Sequence, residues 1–123
     1  QDAVFAAQRR VILNLAERGP CIIVGRCADH ILEERPEVMK IFVYAPYPQR
    51  LRNCVEHLHM TIPDAKKTIA AVDKARESYH RHYCGYSVAD KDHKHLMLDS
   101  SLLGIDGTCD ALCYLIRARF GLS

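Results

Sequence analysis

The feature that most constrains this chain is a short apolar run enclosed by turn residues: Gly19-Pro20, then Cys21-Ile22-Ile23-Val24, then Gly25-Arg26. Apolar residues in succession, without alternation, read as a strand buried on both faces, the habit of parallel sheets. Parallel strands are joined by long crossovers, usually helical, so a strand of this kind points to an α/β arrangement. It also puts a glycine and a guanidinium at the carboxyl end of the strand, where open α/β sheets bind ligands. The planar fork of Arg26 suits phosphate or carboxylate. Its structural alternatives are a snorkelling side chain or an ion pair with a neighbour such as Asp29.

The remaining pattern extends this theme. Asp2 to Arg18 spaces Val4, Phe5, Val11, Ile12 and Leu15 near the helical period and stops at Gly19-Pro20. Ala28 to Glu34 predicts a short helix, ended before Pro36. Met39 to Ala45 is β-branched and aromatic and predicts a second strand. Pro46 and Pro48 close it and open a helix, Gln49 to His59, with Leu51, Val55 and Leu58 as its apolar stripe. Thr61, with Asp64 three residues on, marks the start of a long helix to about Tyr83, ending near Gly85. Ser87 to His95 is polar and loop-like, and Leu96 to Ser101 predicts a third strand. Asp106 or Thr108 opens a last helix through Phe120, with Ala111, Leu112, Leu115 and Ile116 as its buried face. Strands alternating with helices predict a parallel sheet covered by helices.

Composition narrows the function classes. At 123 residues and 49% apolar content, the chain is expected to form one domain, residues 1–123, with a modest core. Seventeen basic against fifteen acidic residues leave a net charge of +2, which lacks the asymmetry of a nucleic-acid binder. The charges are interspersed, so no polybasic membrane patch is expected either. No apolar stretch approaches the roughly 20 residues needed to cross a bilayer. The six cysteines are scattered through apolar patterns, where a free thiol behaves as a small hydrophobe. Reduced thiols and a cytoplasmic setting are the expectation. A first residue of Gln rather than Met adds the expectation that the chain is a portion of a longer protein.

Several polar groups are candidates for chemistry. In the long helix, Asp73, Arg76, His80 and Tyr83 fall at i, i+3, i+7 and i+10 and share one polar face. Such a cationic face, next to Gly85 and a polar loop, is suited to swing over phosphates as a lid. Asp73, Glu77 and Arg81 at i, i+4 spacing are equally consistent with ordinary surface ion pairs, the commoner fate. Arg50 and Arg52 stand near the start of the helix after Pro48, where they reach either a ligand or solvent. Asp99 ends the third strand, where capping the turn at Ser100-Ser101 is the simpler role. The pairs His57/His59, His80/His82 and His93/His95 look like metal ligands, but on a helix i and i+2 point to different faces. His80, His82 and Cys84 would converge only where the helix frays, and no metal site is expected.

Taken in order, these segments resemble the cytidylate kinase-like family of P-loop nucleoside monophosphate kinases. Cys21 to Arg26 resembles the family's strand ending in Gly-Arg, and Lys40 to Ala45 with Arg50 resembles its next strand and helix. Asp73 to Tyr83 resembles its arginine-rich lid segment, and Leu98-Asp99-Ser100-Ser101-Leu102-Leu103-Gly104-Ile105 resembles its last strand and the turn into its final helix. The resemblance implies a three-layer P-loop NTPase-like fold, with a parallel sheet and helices on both faces. It implies transfer of the γ-phosphoryl group of ATP, with Mg²⁺, to a nucleoside monophosphate such as CMP. Arg26 would contact the acceptor, Arg76 and Arg81 would close over the phosphates as catalytic groups, and Arg50 would support the phosphate side. Asp29 and Asp99 complete the expected substrate-binding set, and apart from the resemblance a homo-oligomer is among the partners considered beside the nucleoside monophosphate.

Two departures qualify the match. Where the family commonly has an acidic residue after Gly-Arg, Cys27 stands here, with Asp29 two places on as a substitute. The family's Gly-x-x-Gly-x-Gly-Lys-Ser-type loop, whose amides and lysine hold the donor phosphates, has no counterpart in the sequence. That loop follows a central strand lying between the strands that correspond to Cys21–Val24 and Lys40–Ala45. The expectation is therefore that a strand outside this chain separates those two segments, which otherwise expose unpaired edges. The alternative functions are a non-catalytic nucleotide- or phosphate-sensing module and a structural remnant without kinase activity.

Overall fold

A computed structural model describes residues 2–122 of the chain. It is a small mixed α/β domain built around a two-stranded parallel sheet. Helix α1 (Asp2–Arg18) runs into the Gly19-Pro20 stop as the sequence predicts. A single turn, α2 (Ala28–Ile31), follows, shorter than the segment to Glu34 that the sequence suggests. Strand β1 (Ile41–Tyr44) leads into α3 (Tyr47–His57), whose Pro48 sits in the first turn, where a missing N–H costs nothing. Helix α4 (Ile62–Cys84) begins at Thr61, whose hydroxyl accepts the Asp64 N–H at 3.2 Å. It ends at Gly85, left-handed at φ 85°. A 3-10 turn at Lys91–His93 precedes β2 (Leu96–Asp99) and the final helix α5 (Ser100–Phe120).

β1 and β2 pair in parallel register, Ile41 opposite Leu96 through Tyr44 opposite Asp99. The ladder is lengthened by His95 N–H to the Lys40 carbonyl and by Lys40 N–H to His95 Nδ1, both at 2.8 Å. The crossover between the strands is α3 and α4, which pack against each other.

The expected strand Cys21–Val24 is not formed. The segment makes no strand pairing, and Ile22 and Val24 are 88% and 85% exposed. A strand exists through the hydrogen bonds of its neighbours, and among the described residues nothing lies alongside this one. An apolar run encodes a preference for burial without supplying the surface that buries it. β1 likewise pairs along one edge only.

The buried apolar residues are few: Ile12 of α1, Cys27 and Leu32 around α2, and Ala65 and Ile69 of α4. On the last helix, Ala111, Leu112, Leu115 and Ile116 are half-buried between exposed neighbours, so the expected face is right but only partly covered. That helix begins earlier than Asp106, because Asp99 caps a first turn at Ser100. Gly104, at φ 73° and ψ 178°, then breaks the helical run, a conformation that only glycine adopts without strain. Among the described residues no helix is long and apolar enough to cross a membrane.

Candidate functional site

The backbone at the end of the Cys21–Val24 segment turns through three successive left-handed residues, Gly25 (φ 69°), Arg26 (61°) and Cys27 (59°). For Gly25 this conformation is free; for the arginine and cysteine it costs on the order of 1 kcal/mol or more each. Local structure holds the turn closed. Ala28 N–H reaches the Gly25 carbonyl at 3.1 Å, and the Cys27 carbonyl accepts from His30 and Ile31 at 3.1 and 3.0 Å. The outcome is a division of labour between adjacent side chains. Cys27 is buried, whereas Arg26 is exposed and makes no side-chain hydrogen bond or ion pair among the described residues. Its charge faces α4: burial pushes the Tyr79 phenol up, and Arg26 works against that rise.

Asp29 ties this turn to α4 and to the following loop. Its carboxylate lies 2.5 Å from Lys94 Nζ and 3.1 Å from His80 Nε2, and the side chains of Lys94 and His80 are almost wholly enclosed. Burial alone would raise the Asp29 pKa, but the hydrogen bonds from Lys94 and His80 prevail and hold it below the ordinary carboxylate value. His80 Nδ1 faces the Tyr86 carbonyl at 2.9 Å. Three segments distant in sequence thus meet at one carboxylate. His80 is therefore not part of a solvent-facing polar stripe with Arg76, as helical spacing suggested: it is buried, while Arg76 is exposed.

Arg50 of α3 meets Asp73 of α4 in a two-pronged pair at 2.8 and 2.6 Å. The bond to Arg50 holds Asp73 below the usual carboxylate range. Arg81 lies 3.7 Å from Glu77 on the exposed side of α4. Glu77 also accepts from the Ser87 hydroxyl at 2.7 Å and the Val88 N–H at 3.0 Å, which anchors the polar loop. Arg52 donates to Gln49 at 3.1 Å and stays on its own helix. Asp99 accepts from the Ser101 N–H at 2.8 Å and hydroxyl at 2.6 Å, the geometry of a helix cap. The structure thus brings Arg26 and Asp29 against α4 and joins Arg50 to α4. Arg76 and Arg81 line the outer side of that helix.

Residues 1–102 match the model of the cytidylate kinase-like family. The chain belongs to the cytidylate kinase-like family. Membership relates the chain to kinase-like proteins. No curated protein matches the chain. Among solved structures it is similar to an uncharacterized protein from Eubacterium ventriosum, with a TM-score of 0.80 and 22% identity over 94% of this chain. At that identity the likeness speaks for the fold alone. The chain spans 65% of the length of that structure.

Within this family framework, one cluster was missed by the sequence reading. Cys27, His80 and Cys84 bring two thiol sulfurs and a ring nitrogen within 4.8 Å of one another. The more conspicuous pair in the sequence, His80/His82, stands at i, i+2 on the helix and diverges. The pair that converges is His80 and Cys84, one helical turn apart at i, i+4, in the last turn of α4, which the Gly85 N–H closes on the Arg81 carbonyl. Cys27 completes the set from the turn before α2, where its side chain is buried while that of Arg26 is exposed. Burial raises both thiol pKa values, that of Cys84 strongly, with the Cys27 hydrogen bond adding to it. The i, i+4 spacing was the available signal; the partner across the fold was not visible locally.

Proposed function

We propose that this chain forms the acceptor-nucleotide and lid portion of a nucleoside monophosphate kinase-like protein. The reaction is transfer of the γ-phosphoryl group of ATP to CMP or a related nucleotide. The observation that carries the reading is Arg26: a charged, exposed and unpartnered side chain on a strained turn that Asp29 fixes to α4. Strain retained at a surface arginine has no packing explanation, and functional sites are where such strain persists. In this reading Arg26 binds the acceptor phosphate. Arg76 and Arg81 come over the transferring group and oppose its spreading negative charge. Asp29 and Arg50 act as positioning residues, the first through Lys94 and His80 and the second through Asp73. Asp99 shapes the start of α5 at the strand end.

The donor side is a different matter. The family implies use of ATP and Mg²⁺, but none of the helices α2 to α5 follows a glycine-rich loop ending in Lys-Ser or Lys-Thr. The residues here do not fit the ATP·Mg²⁺ site, and no step through it is assigned to them. The three-layer P-loop architecture belongs to the same proposal, with a further strand between Cys21–Val24 and β1. The exposed Ile22 and Val24 and the free edge of β1 support that placement.

The test is a panel of nucleoside monophosphates offered with ATP and Mg²⁺ to the full-length protein. CMP or a near relative is the expected acceptor. Arg26→Ala is expected to lower turnover on the order of 10²-fold without changing the folded state, as for loss of one charge-stabilising group. An unchanged rate in a folded Arg26→Ala protein removes Arg26 from the site. Absence of transfer to every nucleotide overturns the kinase reading.

A further inference from the structure

We propose that Cys27, His80, Cys84 and Asp29 form a binding site for a thiophilic divalent cation, Zn²⁺ first, which clamps the Arg26 turn to the end of α4. The proposal is independent of the kinase reading. Three donor atoms, from Cys27, His80 and Cys84, already lie within 4.8 Å of one another. In a tetrahedral zinc site with bonds of about 2.0–2.3 Å, neighbouring donors stand about 3.3–3.8 Å apart. Small side-chain rotations close that difference. Two of the donors share one face of a regular helix at i, i+4, and the third projects from a turn whose backbone is pinned by its own hydrogen bonds.

The surroundings have the form that metal sites require. His80 faces the Tyr86 carbonyl through Nδ1 at 2.9 Å, so in the metal-bound form a proton on Nδ1 keeps that bond while Nε2 gives up its hydrogen bond to Asp29 and turns its lone pair to the cation. Nε2 is also the nitrogen next to Asp29, at 3.1 Å from Oδ1. Asp29 can supply the fourth ligand through Oδ1 while Oδ2 remains on Lys94. The protons balance: the cation brings two positive charges, the Cys27 and Cys84 thiols each release a proton to solvent, and the Nε2 proton that His80 shares with Asp29 leaves with them. The Asp29 and Lys94 charges are unchanged throughout. Thiolate donors with one imidazole select Zn²⁺ over the oxygen-loving Mg²⁺ and Ca²⁺.

Co²⁺ is the probe, added to the full chain under reductant, because its tetrahedral thiolate complexes are coloured and Zn²⁺ complexes are not. The expected result is a one-to-one titration with thiolate-to-metal charge transfer in the near ultraviolet and visible d–d bands, bleached by one equivalent of Zn²⁺. Cys27→Ala and Cys84→Ala each lose the charge-transfer band, whereas the exposed His82→Ala retains it. A parallel measurement needs no variant: Zn²⁺ should protect two of the six thiols from a thiol reagent, and a chelator should restore them. Absence of the charge-transfer band, a band that survives both cysteine substitutions, or no protected thiols overturns the site.

Discussion

Around α4 the chain pairs polar groups drawn from distant segments. Asp29, His80 and Lys94 converge from three segments, Arg50 clasps Asp73, and Glu77 holds Ser87 and Val88. Elsewhere, the Cys21–Val24 segment and the first part of α5 do the reverse and leave apolar groups in water: Ile22, Val24, Leu102 and Ile105 are all exposed. Apolar surface alone is unremarkable on a small protein, but an exposed apolar run in a fold that also has an unpaired strand edge marks surface awaiting cover. The difference teaches where the specificity of this fold resides. The α4 side is fixed by directional bonds between residues up to 81 positions apart, whereas the exposed segments carry apolar pattern without a matching surface.

The sharpest way to break that contrast is to remove a partner from the buried cluster. Lys94→Met leaves the Asp29 carboxylate enclosed with only His80 beside it, and losing one member of a buried pair costs about 3–5 kcal/mol. Urea unfolding with a chelator present measures it. Lys91→Met serves as the control, since Lys91 is fully at the surface with Asp92 at 3.9 Å, and is expected to stay within about 0.5 kcal/mol of the parent. Equal costs for the two substitutions would show that the α4 side owes nothing to its buried charges.

A second pair of substitutions compares apolar residues of the same type across the two regions. Ile69→Ala empties part of the buried side of α4 and is expected to cost about 2–4 kcal/mol. Ile22→Ala removes methyl groups already in water and is expected to cost less than about 0.5 kcal/mol. Matching losses, read from the same unfolding curves, would mean that the Cys21–Val24 segment is covered in solution, and the contrast would fail.

The same division separates what was legible in the sequence from what was not. Helix limits were readable wherever the stop or start signal is local: Gly19-Pro20 ends α1, Thr61 with Asp64 opens α4, Gly85 ends it. β1 was also evident from its β-branched and aromatic run and β2 from a short apolar run, and their parallel pairing followed from the helices between them. Cys21–Val24 failed because strand formation depends on a neighbour that the run itself does not specify. The Arg50–Asp73 and Asp29–Lys94 pairs were hidden for a related reason. Both residues of each pair were singled out or passed over as local features, and only the fold brings α3 to α4 and the turn to the loop. Arg26 was legible as a strand-end arginine; the left-handed backbone that separates it from the buried Cys27 was not.

The smallest expected effect concerns the Arg50–Asp73 pair, which links two helices yet remains a third to a half exposed. Solvent screening limits such a pair to under about 1 kcal/mol, so Asp73→Asn should shift the urea midpoint only slightly near neutrality. Its pH dependence is the more telling quantity. The Arg50 bond lowers the Asp73 pKa in the folded protein, so the pair's contribution is fully present above the ordinary carboxylate value of about 3.9. It is lost as the pH falls through the lowered folded value, because protonation removes the negative charge while Arg50 stays positive. The stability difference between the parent and Asp73→Asn should therefore shrink toward zero on going from about pH 7 to about pH 2.5. A difference that persists or grows under acid would mean that the aspartate acts through shape rather than charge, and that the α3–α4 contact belongs with the apolar side of the comparison.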